Sequence, residues 1–302
     1  MPKVFIIVLN WNQTKDTLEC LESLKKINYH DHKVIVVDNG SLKDPTNIIR
    51  KKFPRIKVIR NKKNLGFAGG NNMGIKQALE AKVDYVFILN NDTVVHSQVL
   101  TRLVKVAEED KKVAILGPQI FYYNKPKKIW FLRANLTWPM AKINIWNQNK
   151  PSPNSKKKLL NTDYVAGAAM LIRTDVIKKL GAFDPYYFLY WEDIDLCVRF
   201  AKAGYKIRAL TNAYVWHKVS TTTNKINEKN SFFMVRNRLY FCRKYNNFLN
   251  FWVKVFLIIF VSRVWKLVYN RFDNHSIAGF HGLLSYFKEP KKLEKNLIIN
   301  KL

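Results

Sequence analysis

Asp84-Tyr-Val-Phe-Ile-Leu-Asn-Asn-Asp92-Thr93 is the stretch on which the fold is read. Tyr85 to Leu89 is a continuous apolar run of aromatic and branched side chains, the pattern of a strand buried on both faces. It stops abruptly on Asn90-Asn91-Asp92-Thr93. Polar residues at the carboxyl end of a buried strand sit where open α/β sheets place ligands. Asp92 has the hard oxygen chemistry of a Mg²⁺ or Mn²⁺ ligand. Asn-Asp-Thr also has the composition of a helix cap. Both readings stand on these four residues.

Outward from this stretch, strands alternate with helices. Val4 to Leu9 reads as a first strand, followed by the polar loop Asn10-Trp11-Asn12. Thr14 or Asp16 is placed to cap a helix running to about Lys26. Lys33 to Val37 is a second strand, closed by the turn signal Asp38-Asn39-Gly40-Ser41. Ile48 to Phe53 reads as helical, Lys57 to Arg60 as a short strand, and the glycine-rich 64–74 leads into a helix through about Lys82. Such alternation implies right-handed crossovers and a mostly parallel sheet flanked by helices. Val113 to Phe121 is a further strand. The polar, basic and aromatic 122–161 shows no period and reads as a long functional or mobile loop. Tyr164 to Ile172 is expected to return to a strand, and Thr174 to cap a short helix ended by Gly181. Trp191 to Ala203 and Ser231 to Tyr245 read as helices, with a strand from Tyr205 to His217 between them.

Composition narrows the partners. The 302 residues carry 52 Lys and Arg against 22 Asp and Glu, a formal charge of +30. No acid occurs from Lys111 to Thr162, where Lys125, Lys127, Lys128, Arg133, Lys156, Lys157 and Lys158 fall. A surplus of this size speaks of anionic partners: nucleic acid, anionic membrane or phosphorylated substrate. Cys20, Cys197 and Cys242 are far apart and odd in number, which argues against a disulfide framework or zinc site and suits a reducing compartment. The amino-terminal Met1-Pro2-Lys3 runs directly into the first strand with no cleavage signal.

Four strand ends offer polar residues to one crevice: Asn10 to Asn12, Asp38, Asn90 to Asp92, and Trp216-His217. Asp38 is placed either to accept the imide N–H of a pyrimidine base or to close an Asx-turn. His217 is either a neutral metal ligand or a structural histidine. Gly66, Gly69, Gly70 and Gly74 permit close approach of backbone to a ligand. Trp191-Glu192-Asp193-Ile194-Asp195 puts three acids in the first turn of a helix. Acids there suit the helix dipole. Aromatic neighbours can equally desolvate one of them into a working base.

Together these stretches resemble the inverting glycosyltransferases of family 2, which have the GT-A fold, and among them the rhamnosyltransferase-like branch. The likeness runs from Val4 to about Lys244 and more loosely to Leu284. Ile-Val-Leu-Asn10-Trp-Asn12 is similar to the family's opening strand and loop, and Val-Val-Asp38-Asn-Gly-Ser41 to its base-binding turn. Asn64-Leu-Gly-Phe-Ala-Gly-Gly-Asn-Asn-Met-Gly74 resembles the stretch beside the nucleotide. Asn90-Asn91-Asp92 stands where the family has Asp-x-Asp, with Asn90 replacing the first acid. Gly181-Ala-Phe-Asp184, Tyr190-Trp-Glu-Asp-Ile-Asp-Leu-Cys-Val-Arg199, Gly204-Tyr205 and His217 follow in the family's order.

The resemblance implies a donor site formed by Asn10, Asn12, Asp38, Asn64, Gly66, Gly70, Asn71, Asn90 and Asn91. It implies an acceptor side with Gly167, Trp191, Glu192 and Asp195, a Mg²⁺ or Mn²⁺ held by Asp92 and His217, and Asp193 as general base. The implied reaction moves a sugar from a dTDP- or UDP-linked donor to a hydroxyl of a glycan or polyprenyl-diphosphate-linked acceptor, inverting the anomeric centre in one displacement. A nucleic-acid binder would line one groove with bases and aromatics; here acids gather at strand ends, so no nucleic acid is expected. A catalytically dead relative would lack Asp92 or Asp193. A nucleotidylyltransferase would carry a Gly-rich Arg/Lys signature after the first strand, and none is present.

The organisation expected is a catalytic GT-A domain over 1–225 and a helical, membrane-associated region over 226–302. Leu249 to Phe272 is strongly apolar, yet its longest unbroken run, Val255 to Val261, is far short of the roughly 20 residues a spanning helix needs. With Lys254, Arg263, Lys266 and Arg271 it reads as an amphipathic helix on an anionic membrane surface. A cytoplasmic protein, peripheral on the inner face of the cell membrane, is expected.

Overall fold

A computed structural model describes residues 1–152, 158–219, 228–269 and 273–288. The side chains of 228–229 and 254–255 are not described. Lys156, Lys157, Arg271, Phe272 and the boundary drawn at 225 lie outside the described residues.

The apolar runs become the centre of a large sheet. β1 (Val4–Asn10), β2 (His32–Asp38), β3 (Lys57–Arg60) and β4 (Tyr85–Asn90) pair in parallel in the order β3-β2-β1-β4. Tyr85 to Leu89 are all buried, as a strand covered on both faces requires. The register sets Asn10 beside Asp38 and Leu9 beside Asn90, so the polar tips of three strands lie along one edge.

Three helices connect these strands: α1 (Thr14–Leu24), α2 (Thr46–Lys52) and α3 (Gly66–Glu80). α1 buries Thr17, Cys20, Leu21 and Leu24, a single stripe at helical spacing. Its N-cap is Gln13, which makes no side-chain cap bond. The cap expected from Thr14 or Asp16 is absent, and the Asp16 carboxylate binds Lys218 instead, at 2.6 Å.

Beyond β4 the sheet is mixed. β11 (Ala169–Arg173) runs antiparallel to β4 on one side and to β6 (Val113–Tyr122) on the other. β12 (Lys206–His217) pairs in parallel with β6. β5 (Thr93–Val95) is a short hook after β4 that pairs antiparallel with the end of β12, setting Thr93 against His217. Thr93 therefore belongs to a strand, and the following helix, α4 (Val99–Glu109), starts only at Val99. The capping reading of Asn-Asp-Thr fails for that reason.

The region 122–161 is not a structureless loop. β7 (Lys125–Phe131) turns back on β6, β8 (Ala134–Thr137) and β9 (Lys142–Ile145) pair with each other, and β10 (Leu159–Asn161) edges β12. Only Ile129 and Phe131 of β7 are buried, so its alternation is too brief to show in sequence. The strand expected from Tyr164 starts only at Ala169, because the Gly167 amide is directed to a side chain and not to a strand. α5 (Thr174–Leu180) ends on Gly181 at φ 84°, as expected. Thr174 does not cap it. Its hydroxyl donates to the carbonyls of Val83 and Asp84, tying α5 to the entry of β4.

Contacts divide the chain into two compact units. One comprises Met1–Asn135, Ile145–Pro185 and Asp193–Val219; the other comprises Leu136–Asn144, Tyr186–Glu192 and the described residues from 228 onward. In the second unit α7 (Glu228–Tyr245) packs against α9 (Asn274–Lys288). Gly282 sits so close to the Phe232 carbonyl that no side chain fits there. The apolar segment expected as one amphipathic helix is a π-helical turn, Asn250–Phe256, followed by α8 (Leu257–Tyr269). No helix among the described residues is long and apolar enough to cross a membrane.

Candidate active site

The edge formed by the tips of β1, β2 and β4 holds a dense polar network. Asp38 is fully buried. Its Oδ1 accepts from Asn10 Nδ2 at 2.8 Å and from the Ser41 hydroxyl, and its Oδ2 lies 3.3 Å from both the Ser41 amide and Arg60 Nε. These four donors match the acceptor capacity of one carboxylate, and the Ser41 amide contact is the Asx-type turn. Asn10 Oδ1 accepts from Thr17 at 2.8 Å. Asn91 Nδ2 reaches Thr17 Oγ1 at 3.0 Å and the Gln13 carbonyl at 3.2 Å. Asn12, at φ 57°, accepts the Leu42 amide on its side-chain oxygen and donates its own amide N–H to the Ser41 hydroxyl oxygen.

Asn39 joins this network to the glycine-rich segment. Its Nδ2 donates to Asn64 Oδ1 and to the Gly66 carbonyl, both at 2.9 Å. Gly66 needs to be glycine because its φ is 73°. Gly70 and Gly74 also serve the packing of the helix. A Cβ on Gly70 would meet Leu9 Cδ1 at 2.5 Å, and one on Gly74 would meet Ile7 Cγ2 at 2.6 Å. Both let α3 lie close against β1. Asn71 is buried on the same helix; its Nδ2 binds the Phe67 carbonyl and its Oδ1 has no partner. A buried carbonyl oxygen left so is uncommon.

Asp92 and His217, 125 positions apart in the chain, meet at this edge. Asp92 Oδ1 lies 3.0 Å from His217 Nε2, and both side chains are buried. The pairing of β5 with β12 brings them together. An irregularity helps: β12 slips register between Leu210 and Tyr214 against β6, the kind of bulge that re-aims a strand end. Trp130 sets its ring edge-on to His217, centroids 4.5 Å apart, and His217 Nδ1 is buried with no partner. No group of three or more His, Cys, Asp or Glu side chains able to hold a metal occurs among the described residues.

Asp193 belongs to the same edge. Its Oδ2 accepts the Gly167 amide at 3.0 Å, and its Oδ1 accepts the Ile194 amide at 2.8 Å. The next carbonyl along, that of Ala168, accepts the Asn90 amide at 3.0 Å. Asp193 is thereby tethered to the tip of β4, two residues before Asp92. The residue keeps some surface, but its carboxyl is enclosed, and burial raises its pKa despite the amides that pull it down. Asp195 behaves differently. It is fully buried, 3.4 Å from Arg199, whose guanidinium also binds the carbonyls of Leu180, Gly181 and Ala182.

Trp191 and Glu192 fall in the second unit and are buried there. They end a strained turn: Phe188, Tyr190 and Trp191 have φ of 60°, 68° and 76°. Asn237 of α7 holds it, donating from Nδ2 to the carbonyls of Tyr187, Leu189 and Tyr190 at 2.7 to 2.8 Å.

Sequence reading missed Asn237, Trp130 and Lys218. Lys218 follows His217 and binds Asp16 and Glu19 at 2.6 and 2.7 Å. Burial pulls its pKa down, but the two carboxylates outweigh this and hold it above the ordinary lysine range. Its position beside His217 was the one available signal.

The model of the family described as "Glycosyl transferase family 2" matches residues 5–181. An N-acetylglucosaminyl-diphospho-decaprenol L-rhamnosyltransferase of Mycobacterium tuberculosis is 24% identical over 213 residues, 64% of this chain and 68% of its own. Rhamnosyltransferase WbbL of Escherichia coli is 28% identical over 228 residues, 71% of this chain and 83% of its own. The solved mannosyltransferase PcManGT of Pyrobaculum calidifontis, in complex with GDP-Man and Mn²⁺, superposes with a TM-score of 0.61 at 13% identity. It covers 94% of this chain and 87% of its own.

Proposed function

The chain belongs to glycosyl transferase family 2, and from that premise we propose that it transfers a hexosyl group from a dTDP- or UDP-linked donor to a hydroxyl of a glycan or polyprenyl-diphosphate-linked acceptor. The setting is cell-surface polysaccharide or glycolipid synthesis, and the catalytic domain extends over 1–225. The observation that most supports this reading is the tether from Asp193 through Gly167 and Ala168 to Asn90. It gathers an enclosed carboxyl and the Asp92–His217 pair at one strand tip.

Asp193 takes the proton of the acceptor hydroxyl as that oxygen attacks the anomeric carbon from the face opposite the leaving diphosphate. A raised pKa makes it a stronger base than an exposed aspartate. One displacement inverts the centre, so no second nucleophilic carboxylate is required, unlike in retaining hydrolases. Asn10, Asn12, Asp38, Asn64, Asn71, Asn90 and Asn91, with Gly66 and Gly70 shaping the backbone, form the donor side; Gly167, Trp191, Glu192 and Asp195 form the acceptor side.

The residues fit a divalent cation. A hard carboxylate oxygen of Asp92 and an imidazole nitrogen of His217 stand together, 3.0 Å apart, at one strand tip. His217 Nδ1 is buried and has no partner among the described residues. Asp92 and His217 would hold Mg²⁺ or Mn²⁺, with phosphate oxygens filling the shell. Bound there, the cation neutralises charge on the departing diphosphate. Contact with the inner membrane surface comes from the apolar stripe of α8 and the +30 charge.

The test is product formation from a panel of UDP-, dTDP- and GDP-sugars with a lipid-diphosphate acceptor, with and without chelator. Transfer from a UDP- or dTDP-sugar, lost on chelation and restored by Mn²⁺ or Mg²⁺, is expected. Turnover indifferent to chelator would remove the metal from the reading.

A further inference from the structure

The second unit contains a cavity of about 300 Å³, of whose lining the catalytic reading uses Trp191 alone. That is the lower end of ligand pockets. Part of its lining is apolar, with Ile143, Val235 and Ile259. The remainder is cationic and donor-rich. Arg238 and Arg263 both line it, as does the indole of Trp191.

None of these donors meets an acid. Arg238 gives its Nε and Nη2 to one carbonyl, that of Met140, at 3.0 and 2.8 Å. Arg263 makes no hydrogen bond or ion pair among the described residues. It rests against Gly279, where a Cβ would lie 3.2 Å from its Nη1. Burial pulls both guanidiniums below their ordinary range, and Arg238 pushes Arg263 down further. The Trp191 side chain is buried, and its Nε1 has no partner among the described residues.

Two half-buried like charges side by side, next to a buried N–H donor, repel one another unless an anion joins them. Guanidinium forks are the side chains best matched to phosphate oxygens. The apolar wall gives the first carbons of an attached chain a place that water does not favour. We propose that this cavity binds the phosphate of an ester carried on an apolar chain, held by Arg238, Arg263 and the Trp191 indole. The ester is the diphosphate end of a lipid-linked acceptor or an anionic phospholipid headgroup. The first source rests on the transferase reading and agrees with Trp191 standing two residues before Asp193 in the chain.

The full chain is titrated calorimetrically with farnesyl diphosphate, inorganic pyrophosphate and farnesol, and floated with phosphatidylglycerol and phosphatidylcholine vesicles. Farnesyl diphosphate should bind and farnesol should not. Arg263→Gln, which relieves the repulsion and so should fold, should weaken binding about tenfold or more. Arg263→Lys should restore part of it, and Trp191→Phe, which keeps an aromatic ring but removes the indole N–H, should weaken it. UDP binding with Mn²⁺ serves as the control for an intact donor side. Loss confined to farnesyl diphosphate assigns the site to the acceptor; loss confined to phosphatidylglycerol assigns it to the headgroup. Indifference of both ligands to Arg263→Gln overturns the site even if sugar transfer is intact. Arg263-dependent binding by a protein that transfers no sugar keeps the site and removes the transferase reading alone.

Discussion

An enclosed carboxyl resists ionising, and at Asp193 burial outweighs two donating amides. The sign of the consequence follows from linkage. The folded state holds this proton more tightly than the unfolded chain, so ionisation costs stability. That loss sets in as pH rises above the ordinary aspartate value and is complete above the raised folded value. Asp193→Asn should therefore match or exceed the wild-type melting temperature at pH 7 and lose any advantage near pH 3. It should also lower kcat by about 10²–10⁴ with donor affinity little changed. A pH–rate profile of the wild type should lose activity on the acid side, through a pKa above the ordinary carboxylate range. If Asp193→Asn retains kcat while Glu192→Gln or Asp195→Asn loses it, the assignment within the triplet is wrong. Asp92→Ala and His217→Ala should each weaken Mn²⁺-dependent UDP or dTDP binding about tenfold or more, as expected for loss of a charged ligand interaction; isothermal titration reads this directly. These residues were legible because polar side chains that interrupt an apolar run stand out. Asn237 was not, since its three carbonyl partners lie 47 to 50 positions away and nothing in the helix pattern marks that face.

α3 shows two opposed effects at one position. Replacing glycine by alanine inside a helix gains about 1 kcal/mol of propensity. Overpacking a tight contact costs about 1–3 kcal/mol. At Gly70 and Gly74 the new methyl would press on Leu9 and Ile7 of β1, so Gly74→Ala should lower the denaturant midpoint despite the better helix former. The turn ahead of α6 (Glu192–Lys202) depends on its clamp in a similar way. Asn237→Ala would strand the carbonyls of Tyr187, Leu189 and Tyr190 and release backbone strain of about 1–3 kcal/mol per left-handed residue. Faster amide hydrogen exchange over 187–191, beyond any global change, is the expected result. Sequence legibility divides along the same lines. β1, β2 and β4 were readable because their apolar runs are buried, and the short edge strand β3 because it follows in their alternation with helices. β7 to β10 were not: they are short, half exposed and paired at edges. The glycines of α3 were noticed but their packing against β1 was not, because a sequence shows that a glycine is needed without showing what comes close to it.

For the whole molecule, the charge and the exposed apolar surface of α8 act together. Leu257, Ile258, Val261, Trp265 and Val268 are all more than half exposed and fall at helical spacing along one stripe. Basic residues gain about 1 kcal/mol each near anionic lipid, an attraction that salt screens within about 10 Å at 0.1 M. Binding to phosphatidylglycerol vesicles should thus fall steeply with salt, and alkaline carbonate should release the protein without detergent. Retention in the pellet under both treatments would point to an anchor that crosses the bilayer. A different consequence follows from β12. This strand lies between β10 and β6, receives the β5 hook, and carries His217 at its end. During vectorial synthesis the ribosome delivers Asp92 long before its imidazole partner. A nascent or prematurely terminated chain can shape the nucleotide edge, yet it cannot assemble the pair until the strand that completes the sheet has been inserted. Assembly of the pair is in this way a checkpoint on synthesis as far as β12, and copies truncated before that strand would lack it.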